Sequence, residues 1–278
     1  MQIDSVLPSP LVKRRATARL HSLSIGWSAL AIMILAGSTN ASFGKQLTGS
    51  LSPLSMLFVS EVLLLLFAVL SFGIVPMIQS LLKQKRPILI SLAFVGIING
   101  VLGPLFWFSG LARTSAVNTQ LFGMTEMLFL MMFATMFTHE KITRHHVSGG
   151  LVILLGLLFV SLKGFHETIS LSPGDIFIIL ACLCYGIGGT IVRKKLNRVD
   201  PELIIFARSA SAIALFFLIS PFIKHPFISE ITSFPFVLIP VLLAYGFISR
   251  FLLVFSFYES LKHLPVATTS LLSTMVVG

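Results

Sequence analysis

The chain has 278 residues, of which 55% are apolar and only 11% charged, with a mean hydropathy of +0.97. Soluble domains carry about 25% charged residues, and a chain this poor in charge lacks the polar side chains to cover a water-facing surface, so a bilayer is the expected solvent. The formal net charge of +10 does not point to nucleic acid, because the Lys and Arg residues stand in short clusters between apolar runs instead of on one basic stripe.

Crossing the hydrocarbon takes about 20 mostly apolar residues. The N-terminal tail, residues 1–23, carries Lys13, Arg14, Arg15 and Arg19 ahead of an apolar run that ends in Ala36-Gly37-Ser38. That pattern imitates a secretory leader, but the same stretch recurs later in the chain, and a cleaved leader has no reason to be duplicated. Span 1 is expected from Ile25 to Gly44, span 2 from Leu54 to Val75, and span 3 from Ile88 to Gly110. Span 4 follows from Thr114 to Thr138, span 5 from Val147 to Leu162, and span 6 from Asp175 to Val192. Span 7 covers Leu203 to Ile223, with Pro221 able to end it early; span 8 covers Phe236 to Tyr258, and span 9 starts near Leu264. Pro53, Pro87, Pro173, Pro201, Pro235 and Pro265 stand at or near the starts, where a missing N–H costs least. Cys182 and Cys184, both in span 6, point away from each other on a helix, so neither a disulfide nor a metal site is expected.

Alternating these spans leaves fourteen Lys and Arg on the side of the N-terminus and four on the other, with Arg208 and Arg250 inside helices. The positive-inside rule then places the N-terminus in the cytoplasm, and the expected location is the cell (inner) membrane. Shifting the second half by 148 residues aligns Gly26 with Gly174, Lys45 with Arg193 and Pro53 with Pro201. A shift of 150 aligns Gly96 with Gly246, Phe108 with Tyr258, Val117 with Ala267 and Thr119 with Thr269. The chain thus divides into a first unit, 24–165, and a second, 172–278. A unit of five helices is odd, so the copies are expected in opposite orientations, with a binding site near midplane between them. By the same offset the second unit should run on past Gly278, so the end of span 9 and a tenth span are expected beyond this sequence.

The stretch Gly110-Leu-Ala-Arg-Thr-Ser-Ala-Val-Asn-Thr-Gln-Leu-Phe, then Thr125-Glu126, Thr138-His-Glu140-Lys141, Gly149-Gly150 and Gly156, resembles the EamA-type permeases of the drug/metabolite transporter superfamily. The second unit repeats the resemblance in Tyr258-Glu-Ser-Leu-Lys-His-Leu-Pro-Val-Ala-Thr-Thr-Ser-Leu-Leu. It implies an all-α, polytopic transmembrane bundle of ten helices, here lacking the end of helix 9 and helix 10. It also implies secondary transport, most simply export, of a small polar metabolite such as an amino acid or nucleotide-like compound by alternating access, without an ATPase. A non-transporting membrane subunit or scaffold is the alternative. Three departures stand out: Met127 where many members have a helix-4 proline, which predicts a straighter span 4; acidic Glu61 where the family often has a basic residue; and the absent helix 10.

No motif for hydrolysis, phosphate binding or metal ligation is present, so neither an enzyme nor a cofactor is expected. His139-Glu140 is followed by Thr143, not the second histidine a zinc-protease helix requires. The GxxxG at Gly96 and Gly100, and the glycines at 186, 188 and 189, are read as close-packing positions. Asn40-Ala-Ser42 is a glycosylation sequon inside a span and is read as idle. Charges at membrane depth are the sharper signal, because each is costly without a partner. Glu126 and Arg250 lie near the middles of spans 4 and 8 and are the first candidates for substrate binding, unless they form a structural ion pair. Thr119 stands seven residues before Glu126 on the same helical face, and Asn99, Trp107, Asn118, Tyr185 and Tyr258 complete the candidates. Glu61 and Arg208 lie at similar depths in spans that enter from opposite sides, which predicts that they do not meet. Partners implied are a small-molecule substrate and membrane lipid, with a homodimer left open and nucleic acid excluded.

Overall fold

In the computed structural model the described residues are 10–138, 172–222 and 225–273, together with isolated positions between 144 and 159. Span 5, His139, Glu140 and Lys141 therefore lie outside them, apart from those isolated positions. Among the described residues seven helices are long and apolar enough to cross a membrane. They are α1 (His21–Leu47), α2 (Pro53–Phe72), α3 (Arg86–Arg113), α4 (Ala116–Phe137), α5 (Pro173–Lys195), α6 (Pro201–Ile219) and α7 (Phe236–His263). A shorter helix, α8 (Val266–Ser273), begins span 9. Leu70, Phe217 and Leu35 lie more than 60% exposed on the outside of the bundle, as lipid-facing side chains do.

Prolines open α2, α5 and α6 within the first turn, where the absent N–H would have had no partner. At the start of α5 a capping box joins Ser172 and Asp175. α6 stops at Ile219, two residues before Pro221, which has no N–H to donate the next bond of the helix. α4 is not straight. It breaks at Met124, where short i→i+3 bonds tie Met124 to Leu121 and Met127 to Met124, so the span bends without a proline.

The 148–150 offset has a physical counterpart at several points. α3 carries a π-helical stretch at Ile98–Leu102 and α7 one at Tyr245–Leu252, and such bulges concentrate at functional sites. Gly96 lets α3 approach α6, since a Cβ there would lie 3.0 Å from the Ala207 carbonyl oxygen. Its equivalent, Gly246, lets α7 approach α2, where a Cβ would lie 2.8 Å from Leu63 Cβ. The first helices are exchanged. Gly26 of α1 packs on His263 and Leu264 at the end of α7, while Gly174 of α5 packs on Gly110 and Arg113 at the end of α3. Cations from equivalent positions close the ends: Lys45 Nζ donates to the carbonyls of Leu111 (2.7 Å) and Thr114 (2.6 Å), and Arg193 Nη1 to that of Leu261 (2.8 Å).

Candidate functional site

α2 and α6 cross at the middle of the bundle, and there a buried carboxylate meets two buried guanidinium groups. Glu61 is fully buried, and Arg208 and Arg250 are 4% and 5% exposed. Arg208 Nη2 donates to Glu61 Oε1 at 2.7 Å, and Arg250 Nη2 donates to the same oxygen. Ser209 Oγ donates to Glu61 Oε2 at 2.8 Å. Glu61 and Arg208 therefore do pair, against the expectation from depth. In the observed helices Glu61 is the ninth residue of the twenty in α2 and Arg208 the eighth of the nineteen in α6. At about 1.5 Å rise per residue both lie within roughly 3–4 Å of their helix centres, close enough for an arginine side chain to reach. Ser209 is the repeat equivalent of Glu61, and equivalent residues on two helices that cross each other are the ones that meet.

Three charges of this kind at membrane depth are tolerable only because each cation has an anion and the carboxylate accepts several charge-assisted hydrogen bonds. The balance is incomplete, with two guanidinium groups sharing one carboxylate. Among the described residues, Nε of Arg208 and of Arg250, Trp107 Nε1, Asn99 Oδ1 and the Tyr245 hydroxyl are buried and make no hydrogen bond. Tyr258 Oη accepts from Arg208 Nη1 and from Asn99 Nδ2, each at 3.4 Å, which steadies the outer edge of the cluster. The Arg250 guanidinium also stands 6.0 Å from the centre of the Phe108 ring, within range of a cation–π contact.

Arg208, Arg250, Asn99, Trp107 and Tyr258 line one cavity of about 160 Å³, with Glu61 behind the two arginines. Glu126, on the α4 segment just past the Met124 break, forms another part of its wall. Among the described residues Glu126 has no ion-pair partner; Arg250, its expected counterpart, is engaged by Glu61. Tyr185 stands within electrostatic reach of Glu126 on one side and of Arg208 and Arg250 on the other. The close approach that places Tyr185 and Asn99 is made by glycines: Tyr185 packs on Gly103, and the Asn99 amide lies against Gly188.

Of the eight candidates read from the sequence, Glu126, Arg250, Asn99, Trp107, Tyr185 and Tyr258 line this cavity. Thr119 and Asn118 do not. α4 is interrupted at Met124, so the seven-residue spacing from Thr119 to Glu126 does not run along one regular helix. Thr119 is buried with its hydroxyl donating to the Ser115 carbonyl at 2.8 Å, and Asn118 contacts the Asp175 carboxylate at one end of the bundle. The sequence reading missed Arg208 as a residue of the cavity wall and Glu61 as its partner. The repeat, which pairs position 61 with position 209, is a signal that brings α2 and α6 together at that point.

The EamA-like transporter family matches residues 24–162 and 172–277. An uncharacterized transporter of Methanothermobacter thermautotrophicus is 25% identical over 143 residues, 51% of this chain and 41% of that protein. The uncharacterized transporter YyaM of Bacillus subtilis is 29% identical over 144 residues, 48% of this chain and 47% of that protein. The chain thus matches less than half the length of either relative. A solved crystal structure shares the fold with a TM-score of 0.66 at 19% identity, covering 92% of this chain and 84% of that one. The apolar helices and the family match make this a multi-pass membrane protein. With both repeats matched almost end to end, the chain belongs to the EamA-like transporter family.

Proposed function

We propose that the chain moves a small polar metabolite across the membrane by alternating access between two oppositely oriented five-helix units, 24–165 and 172 onward. The N-terminus lies in the cytoplasm, the membrane is the cell (inner) membrane, and export is the working direction. The substrate class best matched to the cavity is a zwitterion of amino-acid type. One wall presents the arginines Arg208 and Arg250 to a carboxylate, and another offers Glu126 to an ammonium group. The observation that carries this reading is the convergence of opposite charges on one cavity from helices of both units. Each charge-assisted contact replaces lost hydration more fully than a neutral one.

The test is flux of labelled amino acids and nucleosides in membrane vesicles holding the full-length protein. Saturable movement of at least one zwitterion supports the reading, and flat traces across the panel refute it in favour of a non-transporting subunit. Glu126→Gln then divides two roles. If Glu126 receives the ammonium group, the variant loses affinity for amino acids and spares analogues lacking the amine. If Glu126 instead carries a proton that couples transport to the gradient, affinity survives and the pH dependence of flux disappears.

A further inference from the structure

Within the proposed site, the carboxylate that faces the two arginines belongs to the protein and not to a ligand. We infer that Glu61 is a built-in counter-ion that sets substrate specificity by leaving the arginine pair with room for one further negative charge and no more. The inference rests on the transport reading for its substrate class, but its own content is the charge arithmetic of the cavity wall.

Arg208 and Arg250 bring two positive charges to one point of the cavity, and Glu61 removes one of them through contacts from both guanidinium groups to the same oxygen. Ser209 fixes the other oxygen of Glu61 at 2.8 Å, so the carboxylate is oriented and cannot swing aside to make room. What remains is one net positive charge on two guanidinium groups that line the cavity. A single carboxylate satisfies that charge. A second one would meet the negative charge of Glu61 behind the arginines, in a buried region of low dielectric where like charges repel strongly. Glu126, also in the wall, matches the cationic end of the same ligand. The three wall charges, Arg208, Arg250 and Glu126, sum with Glu61 behind them to zero, so a molecule with one positive and one negative group enters without leaving an unbalanced charge.

Changing the fixed charge should therefore change the charge of the ligand. In Glu61→Gln the arginine pair carries two net charges, and a ligand with one amine and two carboxylates becomes the neutral fit. The experiment is equilibrium binding of L-alanine and L-aspartate to the purified full-length protein in nanodiscs, with flux of the same two probes measured in vesicles. The unaltered protein should prefer L-alanine. Glu61→Gln should move the aspartate-to-alanine affinity ratio toward aspartate by about 100-fold. Removing the only anion from two buried cations threatens folding, so two charge-balanced variants keep the test decisive. Glu61→Gln/Arg208→Gln restores one net charge and should return the preference to L-alanine. Arg208→Gln alone leaves Arg250 neutralised by Glu61 and should weaken L-alanine binding by about 10- to 100-fold while leaving no gain for L-aspartate.

A ratio that stays put in folded Glu61→Gln, or a double variant no closer to the original preference than Arg208→Gln, overturns the assignment. So does the absence of binding for both probes in every protein when other compounds are moved, which would leave transport itself standing. Conversely, a charge-dependent switch in binding without any flux supports Glu61 as the counter-ion and refutes the transport reading.

Discussion

The crossing of α3 on α6 is the point where a single methyl group should do most damage. A Cβ added at Gly100 would lie 2.9 Å from the carbonyl carbon of Arg208 and 3.0 Å from its Cβ, with the carbonyl oxygen closer still. Carbon atoms in contact stand about 3.5–4.0 Å apart, and these are backbone atoms of a helix that cannot rotate away. Gly100→Ala must therefore push the two helices apart by roughly 0.5–1 Å, an overpacking cost of about 1–3 kcal/mol. For a chain of this size that lowers the melting temperature by several degrees, on the order of 3–10 °C. The residue displaced is Arg208, whose 2.7 Å contact with Glu61 anchors the site, so flux should fall as well, by up to about 100-fold. Gly96→Ala should cost less, because the nearest obstacle, the Ser211 hydroxyl at 2.6 Å, is the end of a side chain that can turn. Gly156→Ala is the internal control: nothing lies within 4 Å of its added Cβ, and relief of glycine's helix cost should leave it neutral or more stable by up to about 1 kcal/mol. Thermal unfolding in detergent, read beside vesicle flux, ranks the three. A Gly100→Ala protein that melts with the parent and transports at its rate would refute the tight crossing and the positioning of Arg208 through it.

Lys45→Met leaves the Leu111 and Thr114 carbonyls without their cation and should destabilise by about 1–3 kcal/mol; Arg193→Met should do the same at Leu261, and the double variant should show the two effects added, since the sites are far apart. Asp175→Asn places an amide donor where the carboxylate now accepts from Ser172 N–H at 2.7 Å and from the Thr114 hydroxyl at 2.6 Å, and a loss of about 1–3 kcal/mol by thermal unfolding is expected. At the start of α2, Ser52 donates through both its N–H and its hydroxyl to Glu230, at 3.0 and 3.1 Å. Burial pushes the Glu230 carboxyl up, but hydrogen bonds from Ser55 and Ser52 and the nearby His225 outweigh it and hold it below its ordinary value. Its stabilising contribution is therefore present above the carboxyl range of the unfolded chain and lost as pH falls through the lowered folded value. The melting-temperature difference between the parent and Glu230→Gln should be steady from neutral pH down to about 5 and close on further acidification.

Much of the architecture was legible because the bilayer imposes one strong rule, a run of apolar residues bounded by prolines and cations. The described spans begin and end within a few residues of those expected, with α6 stopping short at Ile219 because Pro221 follows. The candidate site was legible in part for a related reason. Polar residues in an apolar span stand out, and Asn99, Trp107, Glu126, Tyr185, Arg250 and Tyr258 do converge on one cavity. What sequence spacing failed to give was the third dimension of two helices. It carried helical register straight through Met124, where α4 breaks, and so put Thr119 on the wrong face. It also measured depth from estimated helix starts, which separated Glu61 from Arg208 although both lie near the middle of helices that cross. Partner choice among buried charges depends on which helices cross, and that crossing gave Arg250 the carboxylate of Glu61 on α2 instead of Glu126 on α4.

The exchange of first helices has a consequence for how the chain is made. The N-terminal part of α1 packs on the end of α7 through Gly26, His263 and Leu264, so it waits for more than two hundred further residues before that neighbour exists, while its C-terminal end is held through Lys45 by Leu111 and Thr114 of the first unit. α5, by contrast, finds Gly110 and Arg113 of α3 already inserted when it enters. Until α7 arrives, the small-residue face of α1 is open to lipid or to whatever other helix is at hand, the situation in which membrane helices mispair or call on an insertion factor. A ribosome that stalls after the first unit therefore leaves behind a leading helix seated at its C-terminal end by Lys45 but without the α7 contact of its N-terminal part.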